Sequence, residues 1–330
     1  DTVLSRGLGD VYKRQQMKSL KIIFFGSPYY SVPLLDKTIE LGHDVSLVVS
    51  QGTSKTRRGK VIKTSVHQCC EEKNIKFILP DRFSDTVIKK IMSSNYDLGI
   101  IYAYGKLVPI SLIEHCKHGI MNLHCSLLPR YRGAAPIQHA LINGEEYTGY
   151  TFFRINEKLD EGNIILQERY QILESDNCSS IQDSLTELAV NNLSVAINRL
   201  IQGEFLDSDQ PDGVSYANKI QKEDSIFYWD LDVVTIFNRI RALSTWPVAR
   251  TNLLGEDIKI IDANYIQHDH DMAFGEIKAF SKDELLVSAK GGYISINKLQ
   301  LEGKKIITNR DLFNSNSEFK DRLLNNLGLN

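Results

Sequence analysis

The segment Lys21-Ile-Ile-Phe-Phe-Gly-Ser-Pro28 begins a pattern that continues as far as Tyr102. Lys21 to Phe25 is a short apolar run closed by a Gly-Ser-Pro turn, and from Val32 to Leu41 apolar residues recur at helical spacing. Val45 to Val49 is a second apolar run. The order strand, turn, helix, strand is the repeating unit of a parallel sheet that is covered by helices.

The same alternation predicts further helices at 66–73 and 83–93 and further strands at 77–79 and 98–102. The N-terminal part of the chain is therefore predicted to be α/β, with a doubly wound, mainly parallel sheet. Ligands of such sheets bind beyond the carboxyl ends of the strands. We expect the functional residues at that edge.

A nucleotide-binding Rossmann domain is the first alternative for such a beginning. Its Gly-x-Gly-x-x-Gly fingerprint is absent, because Gly26-Ser-Pro-Tyr-Tyr30 contains one glycine. The bulky Tyr29 and Tyr30 would block the close approach of a pyrophosphate to the backbone. The turn therefore argues against NAD.

Two polar side chains end the next apolar run, Gly119 to His124. On a strand, Asn122 and His124 are two residues apart and point to the same face. The Pro/Gly-rich turn Ser126-Leu-Leu-Pro-Arg-Tyr-Arg-Gly133 follows, and Asp160 lies in an acidic turn further along the chain. An amide, an imidazole and a carboxylate that could orient the imidazole are suited to acid-base chemistry.

This stretch resembles the signature of the folate-dependent formyltransferases: Asn-x-His-x-Ser-Leu-Leu-Pro, then Arg-Gly-Ala, and downstream Leu-Asp-x-Gly. The resemblance implies that Asn122, His124 and Asp160 form the catalytic trio and that 10-formyltetrahydrofolate is the formyl donor, with no metal. It further implies a folate pocket formed by the strand end at 103–105 and the turn after His124. The implied folate-binding residues are Ala103, Tyr104, Gly105, Ser126, Leu127, Leu128 and Pro129.

Three positions depart from the family pattern. Cys125 stands where many members have Pro, and Lys158 and Asn163 replace the Gly and Asp that usually flank the turn of Asp160. Cys125 also suggests thiol catalysis, but neighbours on a strand point to opposite faces, so its side chain is predicted to face away from His124. The departures affect the turn geometry and leave the trio in place.

A basic loop provides the only strong local positive charge. The 330 residues carry a net charge of -2, so a nucleic-acid partner needs a local basic patch. Residues 55–63 contain five basic residues and no acid, and they resemble the insertion loop with which the tRNA-formylating branch of the family holds methionyl initiator tRNA. The predicted tRNA-binding residues are Lys55, Arg57, Arg58, Lys60 and Lys63.

The C-terminal part is predicted to be a smaller, β-rich domain. A long amphipathic helix at 181–201 precedes a polar linker at 207–214, a helix at 229–243 and short β-rich runs broken by glycines. This pattern predicts a small β-barrel. Tyr216-Ala-Asn-Lys-Ile220 and Leu299-Gln-Leu-Glu-Gly-Lys-Lys305 resemble the C-terminal domain of the same branch, which implies an OB-like barrel that binds tRNA.

The predicted organisation is a non-native leader at 1–16, a catalytic domain at 17–206, the linker, and the OB-like domain at 215–330. No apolar run is long enough to span a membrane, and five scattered cysteines form no disulfide framework or metal pattern. A polar loop with two histidines, His268-Asp-His-Asp271, is interpreted as a solvated turn. We expect a monomer in the bacterial cytoplasm, with an organelle matrix as the alternative.

Three other functions are compatible with parts of the pattern. An amino-sugar-nucleotide formyltransferase and the hydrolase domain of formyltetrahydrofolate dehydrogenase share the chemistry, but neither accounts for the basic loop. A catalytically silent RNA-binding protein would use the C-terminal domain alone. Beyond Pro211, Lys and Arg do not exceed Asp and Glu, which argues against a dedicated RNA-binding domain.

Overall fold

The computed structural model describes residues 19–55, 61–206 and 210–329. Contacts divide the chain into two compact units. The first unit contains the described parts of 1–124, 152–166 and 186–209, and the second contains 125–151, 167–185 and the described part of 210–330. The predicted leader and residues 207–209 of the predicted linker lie outside the described residues. The predicted domain boundaries stay predictions.

The first unit alternates strands and helices as the sequence predicts. Its strands are β1 Lys21–Gly26, β2 Asp44–Val49, β3 Ser54–Lys55, β4 Val61–Ile62, β5 Phe77–Ile78, β6 Leu98–Tyr102 and β7 Ile120–His124. Its helices are α1 Val32–Glu40, α2 Ser65–Glu72, α3 Asp85–Met92 and α4 Ile110–His115. The sequence predictions contain no counterpart of α4 or of the short strands β3 and β4. Thr64 and Ser84 cap α2 and α3 through their side-chain oxygens.

The main sheet has the strand order β10-β9-β7-β6-β1-β2-β5, where β9 is Tyr147–Arg154 and β10 is Ile164–Gln171. The pairings from β5 to β7 are parallel. The chain moves from β1 toward β5 and then returns to place β6 on the other side of β1. This reversal confirms the doubly wound topology and makes the carboxyl ends of β1 and β6 a switch point.

The second unit contains short elements followed by an antiparallel sheet. Its elements are β8 Arg132–Gly133, α5 Pro136–Ile142, β11 Tyr216–Ala217, α7 Val233–Ala242, β12 Ala249–Leu253, β13 Glu256–Gln267, β14 Ile277–Phe280, β15 Leu285–Ala289, β16 Gly292–Leu301, β17 Ile306–Thr308, α8 Asn309–Phe313 and α9 Glu318–Asn326. The helix between them in sequence, α6 Cys178–Gln202, has residues in both units and confirms the prediction at 181–201.

The antiparallel sheet has the order β12-β13-β16-β15-β14, and β17 pairs with β16. Among the described residues β12 and β14 do not pair with each other, so closure into a barrel is not confirmed. The predicted helix at 229–243 begins later, at Val233, because the Asp232 side chain accepts a hydrogen bond from the Val234 amide and caps the helix there. The apolar face of α7 packs into the sheet core through Val233, Ile236 and Ile240.

Candidate active site

The carboxyl end of β7 carries two of the predicted catalytic residues. Strand β7 pairs in parallel with β6, where Ile101 is opposite Asn122 and Tyr102 is opposite Leu123. His124 is the last residue of the strand and is buried, whereas Asn122 is half-buried. The buried imidazole and the amide two residues before it therefore share one face, as predicted from the alternation.

Asp160 lies beside His124. The separation between His124 Nδ1 and Asp160 Oδ2 is 3.8 Å, and both side chains are largely shielded from solvent, with 7% and 11% of their surface exposed. This distance is within the range of an ion pair but longer than a hydrogen bond. Asp160 also has a φ of 52°, which is uncommon for a residue other than glycine and is a kind of strain that concentrates at functional sites.

Gly162 fixes the turn that carries Asp160. A Cβ atom at this glycine would lie 1.6 Å from the carbonyl oxygen of Arg154, the last residue of β9, so only glycine allows this approach. The amide of Arg154 donates to the carbonyl oxygen of Asn163 at 2.9 Å on the same turn. The glycine of the Leu-Asp-x-Gly pattern therefore serves close backbone packing, which holds the carboxylate of Asp160 near His124.

The three departures from the family pattern lie outside the His124–Asp160 contact. The Lys158 side chain is 74% exposed and lies 3.5 Å from Glu161, and Asn163 contributes its backbone carbonyl to the turn. Cys125 is buried, and its sulfur accepts a hydrogen bond from Gln182 Nε2 at 3.4 Å. Burial, with a smaller contribution from Cys125, raises the pKa of Cys178 to about 12, which disfavours a thiolate there.

The predicted folate segment 103–105 follows β6 at the switch point. Ala103 and Gly105 have φ values of 51° and 76°, so the backbone turns sharply here. The Tyr104 side chain is buried against Phe25 and Phe83, and burial raises its pKa to about 12. Its backbone oxygen accepts a hydrogen bond from Gln51 Nε2 at 2.6 Å. Any contact with folate at Tyr104 would thus come from the backbone, because the ring belongs to the core.

The turn Ser126–Pro129 is held by a buried threonine that the sequence predictions missed. Thr151 Oγ1 donates to the Ser126 carbonyl at 2.6 Å and accepts from the Leu128 amide at 3.2 Å. Gln167 Nε2 donates to the Leu128 carbonyl at 2.9 Å. The signal that could have revealed Thr151 is a polar residue inside the apolar run of β9, since a buried hydroxyl needs partners.

The basic loop is described only at its two ends. Lys55 lies in β3, and Arg57, Arg58 and Lys60 lie outside the described residues. Lys63 Nζ contacts both carboxylate oxygens of Glu71, at 2.7 and 2.6 Å. The charge of Lys63 is therefore partly compensated within the protein, which reduces what it can offer to a phosphate.

The two histidines of the 268–271 turn pack instead of converging on a ligand. His270 Nε2 lies 2.9 Å from the Ala289 carbonyl and 3.0 Å from the Gly292 carbonyl, and the ring stacks on Tyr293. Within residues 19–55, 61–206 and 210–329, no group of three or more His, Cys, Asp or Glu side chains is arranged to hold a metal ion. No described helix is long and apolar enough to cross a membrane.

The site consists of a buried histidine, an acidic partner on a glycine-anchored turn and a strand-end amide, at the edge of a doubly wound sheet. Two protein-family models match the chain that forms this site. The formyl transferase model matches residues 20–197, and the model of the formyl transferase C-terminal domain matches residues 219–317. The chain belongs to the formyl transferase family and is an enzyme that transfers formyl groups.

Individual relatives of known name and one solved structure are similar to this chain. A methionyl-tRNA formyltransferase of Thermodesulfovibrio yellowstonii is 36% identical over 88% of this chain and 94% of its own length. A methionyl-tRNA formyltransferase of Geobacter metallireducens is 35% identical over 89% of this chain and 95% of its own. Among solved structures, the N-formyltransferase of Helicobacter canadensis in complex with folinic acid and dTDP-3-aminofucose has a TM-score of 0.64. It is 20% identical and covers 84% of this chain and 98% of its own. That likeness concerns the fold alone.

Proposed function

We propose that this chain transfers the formyl group of 10-formyltetrahydrofolate to the α-amino group of methionyl initiator tRNA and so supports translation initiation. The observation that carries the proposal is the 36% identity to a methionyl-tRNA formyltransferase over nearly the whole length of both chains. The assignment of 10-formyltetrahydrofolate as the formyl donor is supported by family membership and by the folinic acid in the complex of the Helicobacter canadensis enzyme.

Asn122 and His124 are proposed to act on the reacting atoms. The amine nitrogen attacks the formyl carbon, a new C–N bond forms, and the bond to the folate nitrogen breaks while protons leave the amine and reach that nitrogen. The Asn122 amide would donate to the developing oxyanion, a contact worth about 10² to 10³ in rate. His124 moves protons at its imidazole, which contributes roughly 10² to 10⁴.

Asp160 is proposed to orient His124 and to stabilise its imidazolium form. Its Oδ2 is 3.8 Å from Nδ1, and a small movement of the turn would bring these two atoms within hydrogen-bond distance. The attacking nucleophile belongs to the substrate, so the enzyme needs no serine or cysteine of its own. The ester of methionyl-tRNA withdraws electrons and lowers the amine pKa below about 7.7 to 8.0, which leaves a useful neutral fraction at pH 7.

The folate would contact the segment 103–105 and the turn Ser126–Pro129, the tRNA would contact Lys55, Arg57, Arg58, Lys60 and Lys63, and residues 215–330 would form an OB-like, tRNA-binding domain. A bacterial cytoplasm fits the bacterial relatives, and the monomer stays a prediction. An amino-sugar nucleotide as the acceptor is the second candidate, because the Helicobacter canadensis enzyme with an amino sugar shares the fold.

The deciding experiment follows labelled formyl from 10-formyltetrahydrofolate into methionyl-tRNA, with an amino-sugar nucleotide as a parallel acceptor. We expect label on methionyl-tRNA, a fall in kcat of about 10² to 10⁴ for His124→Ala and a comparable fall for Asp160→Asn. Lys158→Ala, on the same turn but with an exposed side chain, is the matched control and should keep its activity. Label on the sugar alone would contradict the acceptor, and a fully active His124→Ala would contradict the mechanism.

A further inference from the structure

A cleft of 460 Å³ lies on the antiparallel sheet of the second unit, between strands β12, β13 and β16 and the segment Ile226 to Tyr228. A cross-strand row crosses it. Arg250 of β12 is directly opposite Lys259 of β13, and Lys259 is directly opposite Gln300 of β16. Residues directly opposite each other have Cβ atoms about 4.5 to 5.5 Å apart, so the side chains of Arg250 and Lys259 start from neighbouring positions in this row.

The two cations are not neutralised by the described part of the protein. Arg250 Nε is buried without a hydrogen-bond partner, and Lys259 has no ion-pair partner among the described residues. The carboxylates that line the cleft are Asp257 and Glu302. Asp257 accepts a hydrogen bond from Asn252 at 2.9 Å, and neither carboxylate pairs with the row. Like charges directly opposite destabilise a sheet, so this row costs the folded protein stability unless an anion joins it.

An exposed aromatic ring stands at the edge of the same cleft. The segment 226–228 is extended beside β12, where the Phe227 amide donates to the Arg250 carbonyl at 2.9 Å. Phe227 is buried, and the alternation leaves Ile226 50% and Tyr228 71% exposed. An exposed tyrosine beside unpaired cations offers a stacking surface and a phosphate site within one cleft.

We propose that this cleft is a contact site for the RNA acceptor, with a backbone phosphate between Arg250 and Lys259 and a nucleobase stacked on Tyr228. The inference rests on the proposed function and adds residues of the C-terminal sheet to those of the basic loop. RNA fits better than an acidic peptide, because a peptide carboxylate would use the cations but leave the exposed ring without a planar partner. The cleft would contact the phosphate backbone and one face of a base, so it does not distinguish aminoacylated from non-aminoacylated tRNA.

The test uses the full chain and measures both tRNA binding over a range of salt concentrations and the kinetics of formyl transfer. Lys259→Gln should lower the slope of log K against log salt by about one. Tyr228→Ala should weaken binding about tenfold, and Tyr228→Phe should restore it, because stacking needs the ring and not the hydroxyl. For Lys259→Gln and for Tyr228→Ala we expect a higher KM for methionyl-tRNA with kcat unchanged.

Lys278→Gln, at an exposed lysine on β14 of the same sheet, is the matched control for the charge. Wild-type protein that fails to formylate methionyl-tRNA would refute the proposed function itself. Wild-type protein that formylates, combined with Lys259→Gln and Tyr228→Ala variants that bind like Lys278→Gln, would overturn the cleft alone. Polyglutamate that competes as well as tRNA for the cleft would overturn the assignment to RNA.

Discussion

The carboxyl end of β7 and the cleft of the C-terminal sheet arrange their charges in opposite ways. At β7, His124 and Asp160 have opposite charges when the imidazole is protonated, and both side chains are shielded from solvent. In the cleft, Arg250 and Lys259 have the same charge, lie on neighbouring strands and are not neutralised by a described carboxylate. The first arrangement contains its own counter-charge, whereas the second is completed only by an anion from outside.

The difference shows how chemistry and binding place different demands on a fold. An imidazole that moves a proton must be held in position before the substrate arrives, and we propose that Asp160, on a turn anchored by Gly162, does this for His124. A surface for a polyanion gains affinity by leaving its cations unneutralised until binding releases counterions. Substitutions in the first region should therefore change kcat, and substitutions in the second should change binding and its dependence on salt.

Among the substitutions that test this comparison, the largest effect is expected at Gly162, the glycine that anchors the turn of Asp160. In Gly162→Ala the new Cβ would meet the Arg154 carbonyl oxygen at 1.6 Å, and the backbone must separate. Displacement of Asp160 by about 1 Å should lower kcat about 10²-fold, and the overpacking should lower the free energy of unfolding by about 1 to 3 kcal/mol. Formyl transfer and chemical denaturation measure the two quantities.

The control for that substitution is Gly52→Ala, because its Cβ would meet Asp81 Oδ1 at an ordinary 3.5 Å. We expect Gly52→Ala to unfold and react like the wild type. A Gly162→Ala variant with normal kcat would mean that the position of Asp160 does not limit the reaction, and the proposed role of that carboxylate would then be wrong.

A smaller effect, with opposite signs for stability and binding, is expected in the cleft. Lys259→Glu replaces a repulsion with an attraction to Arg250 and should raise the free energy of unfolding by ~0.2 to 1 kcal/mol. The same change should weaken tRNA binding more than Lys259→Gln does. The gain in stability should shrink in high salt, because screening weakens partly exposed pairs. Denaturation at two salt concentrations measures it.

Lys278→Glu makes the same change in net charge away from the row and should give no such gain in stability. If Lys259→Glu destabilised the protein, or if both variants were stabilised equally, the repulsion between Arg250 and Lys259 would not be the cause. The contrast between repelling charges in the cleft and the oppositely charged pair His124 and Asp160 at β7 would then be wrong.

Much of the fold was readable from the sequence where the pattern is local. The strand at 98–102 was predicted with the bounds that the structure has, because a continuous apolar run is typical of a strand buried on both faces. Helix α5 and strand β9 were missed. Strand β9 contains Gly149 and two threonines, which weaken the apolar signal although the strand is largely buried. Closure of the C-terminal sheet depends on whether distant edge strands pair, which no local pattern determines.

For the candidate site, the sequence pointed to the residues that we propose to carry the chemistry but not to the contacts that position them. Asn122 and His124 share a face because strands alternate, and that rule needs only two positions. The approach of Gly162 to Arg154 and the hydrogen bonds of Thr151 to the turn at Ser126 join segments that are separated in sequence. Such contacts follow from tertiary packing, so the residues that hold the site became visible only in the structure.

The smallest effect is expected from replacing the thiol of Cys125, which follows His124. This substitution tests whether the chemistry at the end of β7 belongs to His124 and Asp160 or also involves the neighbouring thiol. Cys125→Ala should keep formyl transfer within about threefold, because the proposed reaction takes its nucleophile from the substrate and uses no thiol of the enzyme. Burial raises the pKa of Cys70, Cys116 and Cys178 to about 12. At pH 8 only about 10⁻⁴ of each is thiolate, so iodoacetamide should label them slowly in the native protein and about tenfold faster per pH unit up to about pH 11. Labelling in denaturant is the control. An inactive Cys125→Ala would show that a thiol contributes at the end of β7. Rapid native labelling of Cys70, Cys116 or Cys178 at about pH 8 would show that burial does not suppress the thiolate there.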